Sequence, residues 1–284
     1  MSAVGANPSL CVIASGSSGN CSVVRWRAGG REHAAAIDMG LSRRRLVRDL
    51  HALGLELDAL SAVFVTHTDS DHWQPGWNSM LPSKTRLLMH RAHARSAARR
   101  GLVTRPVTWF DEQDDSALRE ALDGAPTTHV RVPHDDLGAC AFRFDFDSGS
   151  LGFATDLGSF NGEFLDAFAG VSVMAIESNH CPKMQARSGR PEVLIRRVLG
   201  PMGHLSNEQC SDALLRIAPT KAAVLLHLSR DCNEPELAAA FHAGRAYQLF
   251  VSSHDRATPW VEIVGPPRAV QATSPQGFLF EAAR

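Results

Sequence analysis

Two imidazoles and two carboxylates, His67, Asp69, Asp71 and His72, stand within a single turn's length of chain, directly after the apolar run Leu60 to Val65. Neutral imidazole and ionised carboxylate both ligate borderline and hard divalent cations, and a cation relieves the repulsion of acids crowded this closely. A lone H-x-D is readily explained as a solvated polar loop. H-x-D-x-D-H hung on the end of a buried strand is better explained as a metal-binding turn. Pro75 and Gly76 follow, so the motif belongs to a strand end and turn rather than to mid-helix.

The same event recurs along the chain. Apolar or alternating runs over 8–14, 21–26, 33–37, 60–65, 86–89, 127–132, 140–146, 150–154, 171–176, 222–226, 247–251 and 261–264 read as strands. Ser42 reads as the cap of a helix over 43–53 stopped by Gly54, Ser206 as a second cap, and Pro235 as the start of a helix to about 243. Further helices are expected over 91–100, with His93 counted on its basic face, and within 111–123. Trp73 and Trp77 are expected to pack over the 67–72 loop. Strand after strand ends in one charged or imidazole side chain: Asp38, His67, His134, Asp156, Glu177, His227. Each alone could cap or brace a loop. Six at successive strand ends read as a site presented at one sheet edge.

Composition bounds the reading. The 284 residues are 44% hydrophobic and 21% charged, ordinary values for a globular chain able to bury a large core, here expected as one domain over 1–284. A formal net charge of −1 gives no global attraction to nucleic acid, so any such binding needs local patches. The start lacks a basic, then apolar leader, and no apolar run is long enough to span a bilayer, so a cytoplasmic protein without membrane contact is expected. The six cysteines are scattered without C-x-x-C, which suits reduced thiols. The turn Ser15-Gly-Ser-Ser-Gly-Asn20 could cradle a phosphate through its backbone, though a plain hairpin turn explains it too.

Taken together the motifs resemble the metallo-β-lactamase superfamily, over roughly residues 9–255. His67-Thr-Asp69-Ser-Asp71-His72 matches the first metal motif, and His134, Asp156 in Ala-Thr-Asp-Leu-Gly and His227 in Leu-Leu-His-Leu-Ser match the later ligands. Ala14 to Asn20, Ile37 to Leu41, Glu177-Ser-Asn-His180 and Gly203 to Glu208 are most similar to the YycJ/WalJ-like, DNA-exonuclease-like branch. The resemblance implies an α/β, four-layer αββα sandwich of two mixed sheets with outer helices. It also implies two divalent metal ions, zinc or manganese with iron a third option. His67, His134 and Asp156, with Asp69, would take one; Asp71, His72, His227 and the bridging Asp156 would take the other.

Asp69 departs from the family pattern, which has histidine there, and its carboxylate should tilt the site toward harder ions. Asp71 is the expected water-orienting catalytic residue. Glu177 and His204 resemble the pair that protonates the leaving group in the tRNA 3′-processing branch. Ser15, Ser17, Ser18, Asn20, Asn179, Arg187 and Arg190 are candidate substrate contacts. Phosphodiester hydrolysis at a nucleic-acid end is expected, DNA ahead of RNA. A small-molecule hydrolase for a lactone, thioester or cyclic phosphodiester, and a metal-poor binding or regulatory module, are the alternatives. The sequence gives no oligomeric state.

Overall fold

The computed structural model describes residues 7–265. It opens with an antiparallel meander of β1 (Ser9–Ala14), β2 (Cys21–Ala28) and β3 (Arg31–Ile37). Helix α1 (Arg43–Ala52) leads to β4 (Leu60–Val65), followed by α2 (Trp77–Met80), β5 (Arg86–His90), α3 (Arg91–Arg99) and β6 (Thr108–Phe110). Strands β3 to β6 pair parallel, as their long crossovers require. After α4 (Ser116–Ala121), a second antiparallel meander forms from β7 (Thr127–Val132), β8 (Ala139–Phe146) and β9 (Gly149–Ala154). Then come α5 (Gly162–Phe168), β10 (Val173–Glu177), α6 (Pro182–Ala186), α7 (Glu192–Leu199), α8 (Asn207–Ile217), β11 (Ala222–Leu226), α9 (Pro235–Ala240) and β12 (Gln248–Val251). Strands β9 to β12 pair parallel, and β13 (Val261–Glu262) returns to β1. The outcome is a seven-stranded sheet, β13-β1-β2-β3-β4-β5-β6, and a six-stranded sheet, β12-β11-β10-β9-β8-β7.

The period of two along each strand divides the core into three apolar layers. Val12, Val24, Ile37 and Phe64 of the first sheet meet Phe142, Phe144, Ala175 and Val224 of the second. Phe64 sits edge-on to Phe142 and Phe144, with ring centroids 5.6 and 5.2 Å away. The outer face of the first sheet packs Val63 and Met89 on Leu46 and Leu50 of α1 and Ala97 of α3. The outer face of the second packs Met174 and Ile176 on Phe164 and Phe168 of α5 and Leu214 and Ile217 of α8. This is the αββα sandwich expected. Strands buried on both faces carry apolar residues almost continuously, which is why they stood out in the sequence.

Several boundaries differ. Strand β10 starts at Val173 because the carbonyls of Val171 and Ser172 instead receive the N–H groups of Thr220 and Lys221. Within 111–123 only Ser116–Ala121 is helical; the Asp111 carboxylate takes the N–H groups of Gln113 and Asp114 and closes a turn there. Helix α9 ends at Ala240, and β13 covers only Val261–Glu262. Helices α2, α5, α6 and α7 and strand β6 were not anticipated. Trp73 and Trp77 do not cover the 67–72 loop from solvent. They are buried in the outer-face core of the first sheet, their indole N–H groups donating to Leu102 O and Leu41 O, both at 3.0 Å. His93 is not part of a charged face: it is buried, and burial pushes its pKa down to about 4.

Truncating Phe142 removes a ring from the contact between the sheets. Phe142→Ala should lower unfolding free energy by about 3–5 kcal/mol in urea titration; a loss below 1 kcal/mol would mean the two sheets do not depend on this layer.

Candidate metal centre

The first sheet delivers its ligands from the ends of β3 and β4. Asp38 follows β3 in the left-handed backbone region, φ 62°, and is almost fully buried. Its Oδ1 accepts the Thr66 N–H (2.8 Å) and hydroxyl (3.0 Å), and its Oδ2 lies 2.7 Å from His72 Nδ1. One carboxylate thus ties the end of β4 to the 67–72 loop and fixes the His72 ring with Nε2 facing inward. The loop is pinned to the turn after β3 by Met39 N to His72 O (2.7 Å) and by Asn20 N to Asp71 O (2.7 Å). Only glycine fits at position 40, where a Cβ would fall 1.7 Å from Asp71 O.

The second sheet delivers four groups. His134 follows β7 and donates from Nδ1 to Gly203 O (3.0 Å), leaving Nε2 toward Asp156 Oδ1 at 3.9 Å. Asp156 follows β9, also left-handed at φ 55°. Glu177 ends β10 and is fully buried. Its Oε2 accepts Leu157 N (2.8 Å) and Leu205 N (3.1 Å), while Oε1 faces His204 Nδ1 (2.7 Å) and His227 Nδ1 (3.2 Å). His227 follows β11 at φ 56°, its N–H held by Ser15 Oγ at 2.9 Å and its Nε2 facing Asp71 Oδ2 at 3.5 Å. Left-handed backbone at non-glycine residues is costly and concentrates at functional sites. Here it recurs at three strand ends that meet.

All the residues expected as ligands converge, and they do so as sets. Ligand atoms of His67, His134 and Asp156 lie within 4.8 Å of one another, as do those of Asp71, His72 and His227. His72 Nε2 lies 3.0 Å from Asp156 Oδ2, which joins the sets. Asp156, Glu177, His204 and His227 form a further set on the second-sheet side. Asp69 is half exposed. It groups with His134 and Asp135, not with the His67 set, and stays 3.9 Å from His67 Nε2.

The donor chemistry fits divalent cations: imidazole and carboxylate only, with no cysteine. The Nε2 of His227 is buried without a hydrogen bond, an acceptor lacking any occupant of the protein's own. Burial opposes charge on His72, yet the carboxylates of Asp156 and Asp38 outweigh it and hold the ring cationic well above the usual histidine range. Burial likewise opposes charge on Asp156, and His227 and His72 outweigh it, holding its carboxyl well below the usual range. Protons here do what a cation does better, and metal binding must displace them.

Among the substrate candidates, Ser15 and Asn20 are buried. Asn20 Oδ1 accepts Gly16 N (2.8 Å) and Ser15 Oγ (3.1 Å), which turns its amide nitrogen to His72 Nε2 at 2.9 Å. Asn179 braces His227, donating to its carbonyl at 2.8 Å. Ser17, Ser18 and Arg187 are exposed, and Arg190 pairs with Asp231 at 2.7 Å. Sequence reasoning noted Asp38 as a strand end but gave it no role. It missed Asn233, whose Nδ2 donates to the carbonyls of Ser178 (2.9 Å) and Asn179 (3.0 Å) and shapes the turn after β10. Nothing in the local sequence marks Asn233.

A four-layer αββα sandwich carrying a histidine–aspartate cluster where its sheets meet is the architecture of a metal-dependent hydrolase. The family described as Beta-lactamase superfamily domain matches residues 35–228, more than half of the chain. The chain belongs to that family. It is 26% identical over 272 residues to "Exodeoxyribonuclease WalJ" of Streptococcus pneumoniae, covering 89% of this chain and 97% of that protein. It is 27% identical over 231 residues to "Exodeoxyribonuclease YycJ" of Bacillus anthracis, covering 80% and 84%. Among solved structures, the metallo-beta-lactamase fold protein YhfI of Bacillus subtilis superposes with a TM-score of 0.63 at 13% identity, over 89% of this chain and 99% of that one.

Asparagine tolerates the left-handed backbone at position 38 but cannot anchor an imidazole N–H with a charge. Asp38→Asn should weaken divalent-metal affinity about 10- to 100-fold in chelator competition while the far-UV spectrum stays native. Wild-type affinity would show that Asp38 does not orient His72.

Proposed function

We propose that the protein is a binuclear-metal phosphodiesterase that degrades nucleic acid from strand ends, DNA ahead of RNA. His67, His134 and Asp156 hold one cation, with Asp69 reaching it from the rim. Asp71, His72 and His227 hold the other, with Asp156 shared. Two divalent cations bound there, zinc or manganese, make water a nucleophile near neutral pH and offset phosphoryl charge. Asp71 orients the attacking water and takes its proton. His204 gives a proton to the departing oxygen.

The observation that carries this reading is the Glu177–His204 pair. Nδ1 of His204 is fixed on Glu177 at 2.7 Å and lies 3.4 Å from Asp156, so Nε2 is free to serve a leaving group beside the cluster. Burial works against charge on His204, but Glu177 and then Asp156 outweigh it and raise its pKa above the usual value, which suits a general acid. Alkoxide departure from an ordinary phosphodiester needs that proton; lactone and thioester hydrolysis needs it less. The names of the Streptococcus pneumoniae and Bacillus anthracis relatives support a DNA substrate. The six cysteines, all free, fit a reducing compartment such as the cytoplasm. Among the described residues no helix is long and apolar enough to cross a membrane.

A small-molecule substrate on the same centre is the second reading. It is favoured by the net charge of −1 and by Asp69, Asp135 and Asp136 at the rim. Activity across a matrix of metals against labelled single- and double-stranded DNA and RNA, a chromogenic phosphodiester and a lactone panel separates the two. Turnover of lactones alone would reject the nuclease reading. Asp156→Ala should abolish metal retention and hydrolysis together; full activity with unchanged metal content would remove its bridging role. His204→Ala should slow ordinary phosphodiesters about 100-fold or more, and esters with a good leaving group far less. Equal losses on both would exclude proton donation.

A further inference from the structure

A cleft of about 460 Å³ opens beside the metal cluster, with His67 and His134 at its inner end. One wall is the 135–138 loop. The other is α3, which presents His93, Ser96 and Arg100. His93 is 2% exposed, and neither of its ring nitrogens reaches a hydrogen-bond partner. A buried imidazole left with both nitrogens unbonded is costly and asks for a ligand. Arg100 is exposed and its guanidinium joins no ion pair among the described residues, nor do those of Arg95 and Arg99 on the same helix. The hydroxyl of Ser96 is likewise unbonded. The acid of the facing loop is already engaged: Asp135 lies in the fork of Arg197, with Nε to Oδ1 at 3.1 Å. Unspent hydrogen-bonding capacity on the α3 wall therefore consists of an imidazole, a hydroxyl and a guanidinium.

We propose that this cleft is the subsite for a terminal phosphate monoester of the nucleic-acid strand, bound by Arg100, Ser96 and His93. The proposal rests on the phosphodiesterase reading above. A monoester dianion offers several strong acceptor oxygens, matching a forked guanidinium, a hydroxyl and an imidazole N–H, and it exists only at a strand end. Next to the cluster, it fixes the distance from the end of the strand to the bond that is cut. A phosphate within the strand carries one charge and chain on both sides. The cleft thereby makes the centre act on ends.

The test compares kcat/KM on one DNA duplex carrying a phosphate or a hydroxyl, at its 5′ ends and then at its 3′ ends. The enzymes are the metal-loaded full chain and its Arg100→Ala, Ser96→Ala and His93→Gln variants. Wild type should prefer the phosphate at one of the two ends by about tenfold or more, as expected for a charge-assisted contact. Arg100→Ala, on the surface and free of folding cost, should raise KM for the phosphorylated end and bring the ratio near one. Ser96→Ala and His93→Gln should reduce the ratio in the same direction. A wild type indifferent to the phosphate at both ends, or variants that lose equally on phosphate and hydroxyl, would overturn the subsite and leave the phosphodiesterase reading standing. A wild type that cleaves no strand with any metal, but turns over lactones, would overturn both.

Discussion

Three carboxylates, Asp38, Asp156 and Glu177, are each no more than 2% exposed and converge where the two sheets meet. Burying one unpaired anion costs several kcal/mol, so the local structure is largely a set of answers to these three charges. Glu177 receives two backbone N–H groups and faces two imidazoles. Asp38 receives the Thr66 N–H and hydroxyl and the His72 ring. Asp156 is different: it faces His72, His134, His204 and His227 and accepts the Thr155 hydroxyl at 2.8 Å, but no backbone N–H reaches it. Its charge is left for movable partners, protons or metal ions, to balance. Two acids are braces, and the third is the reactive one.

Topology explains why the acids meet. Each sheet joins an antiparallel meander to a parallel run, so the C-terminal ends of β3 and β4 in one sheet and of β7, β9, β10 and β11 in the other point the same way. Parallel αβ sheets place ligands at those ends as a rule. Here two sheets share one such edge, which doubles the number of strand ends available to a single centre.

The two meanders and most of the strands could be read from the sequence because strands covered on both faces carry unbroken apolar runs. The unforeseen helices lacked such runs. Helix α7 buries only Val198 fully among Arg196, Arg197 and Glu192, and α5 is seven residues long, carried by Phe164, Leu165 and Phe168. The ligand residues could be read because they follow apolar strands in a recognised order. What could not be read is who touches whom across distance. His72 and Asp38 are 34 positions apart, His227 and Ser15 212 apart, and neither pairing leaves a local mark. Asn20 and Asn179 looked like surface contacts for a substrate because polar residues in turns usually are; both are instead buried against ligand imidazoles. His93 looked basic for the same reason, by the company of arginines on its helix.

One arrangement has a mechanical side. Each ligand set draws on both halves of the sandwich: His67 from the first sheet meets His134 and Asp156 from the second, and Asp71 and His72 meet His227. An ion seated in either set is therefore a rivet between the sheets as well as a reagent. Anything that binds only the closed form stabilises it, by an amount that grows with the logarithm of free ion over its dissociation constant. Scarcity of metal in the surroundings would then loosen the molecule at its active edge first and silence and soften the protein together.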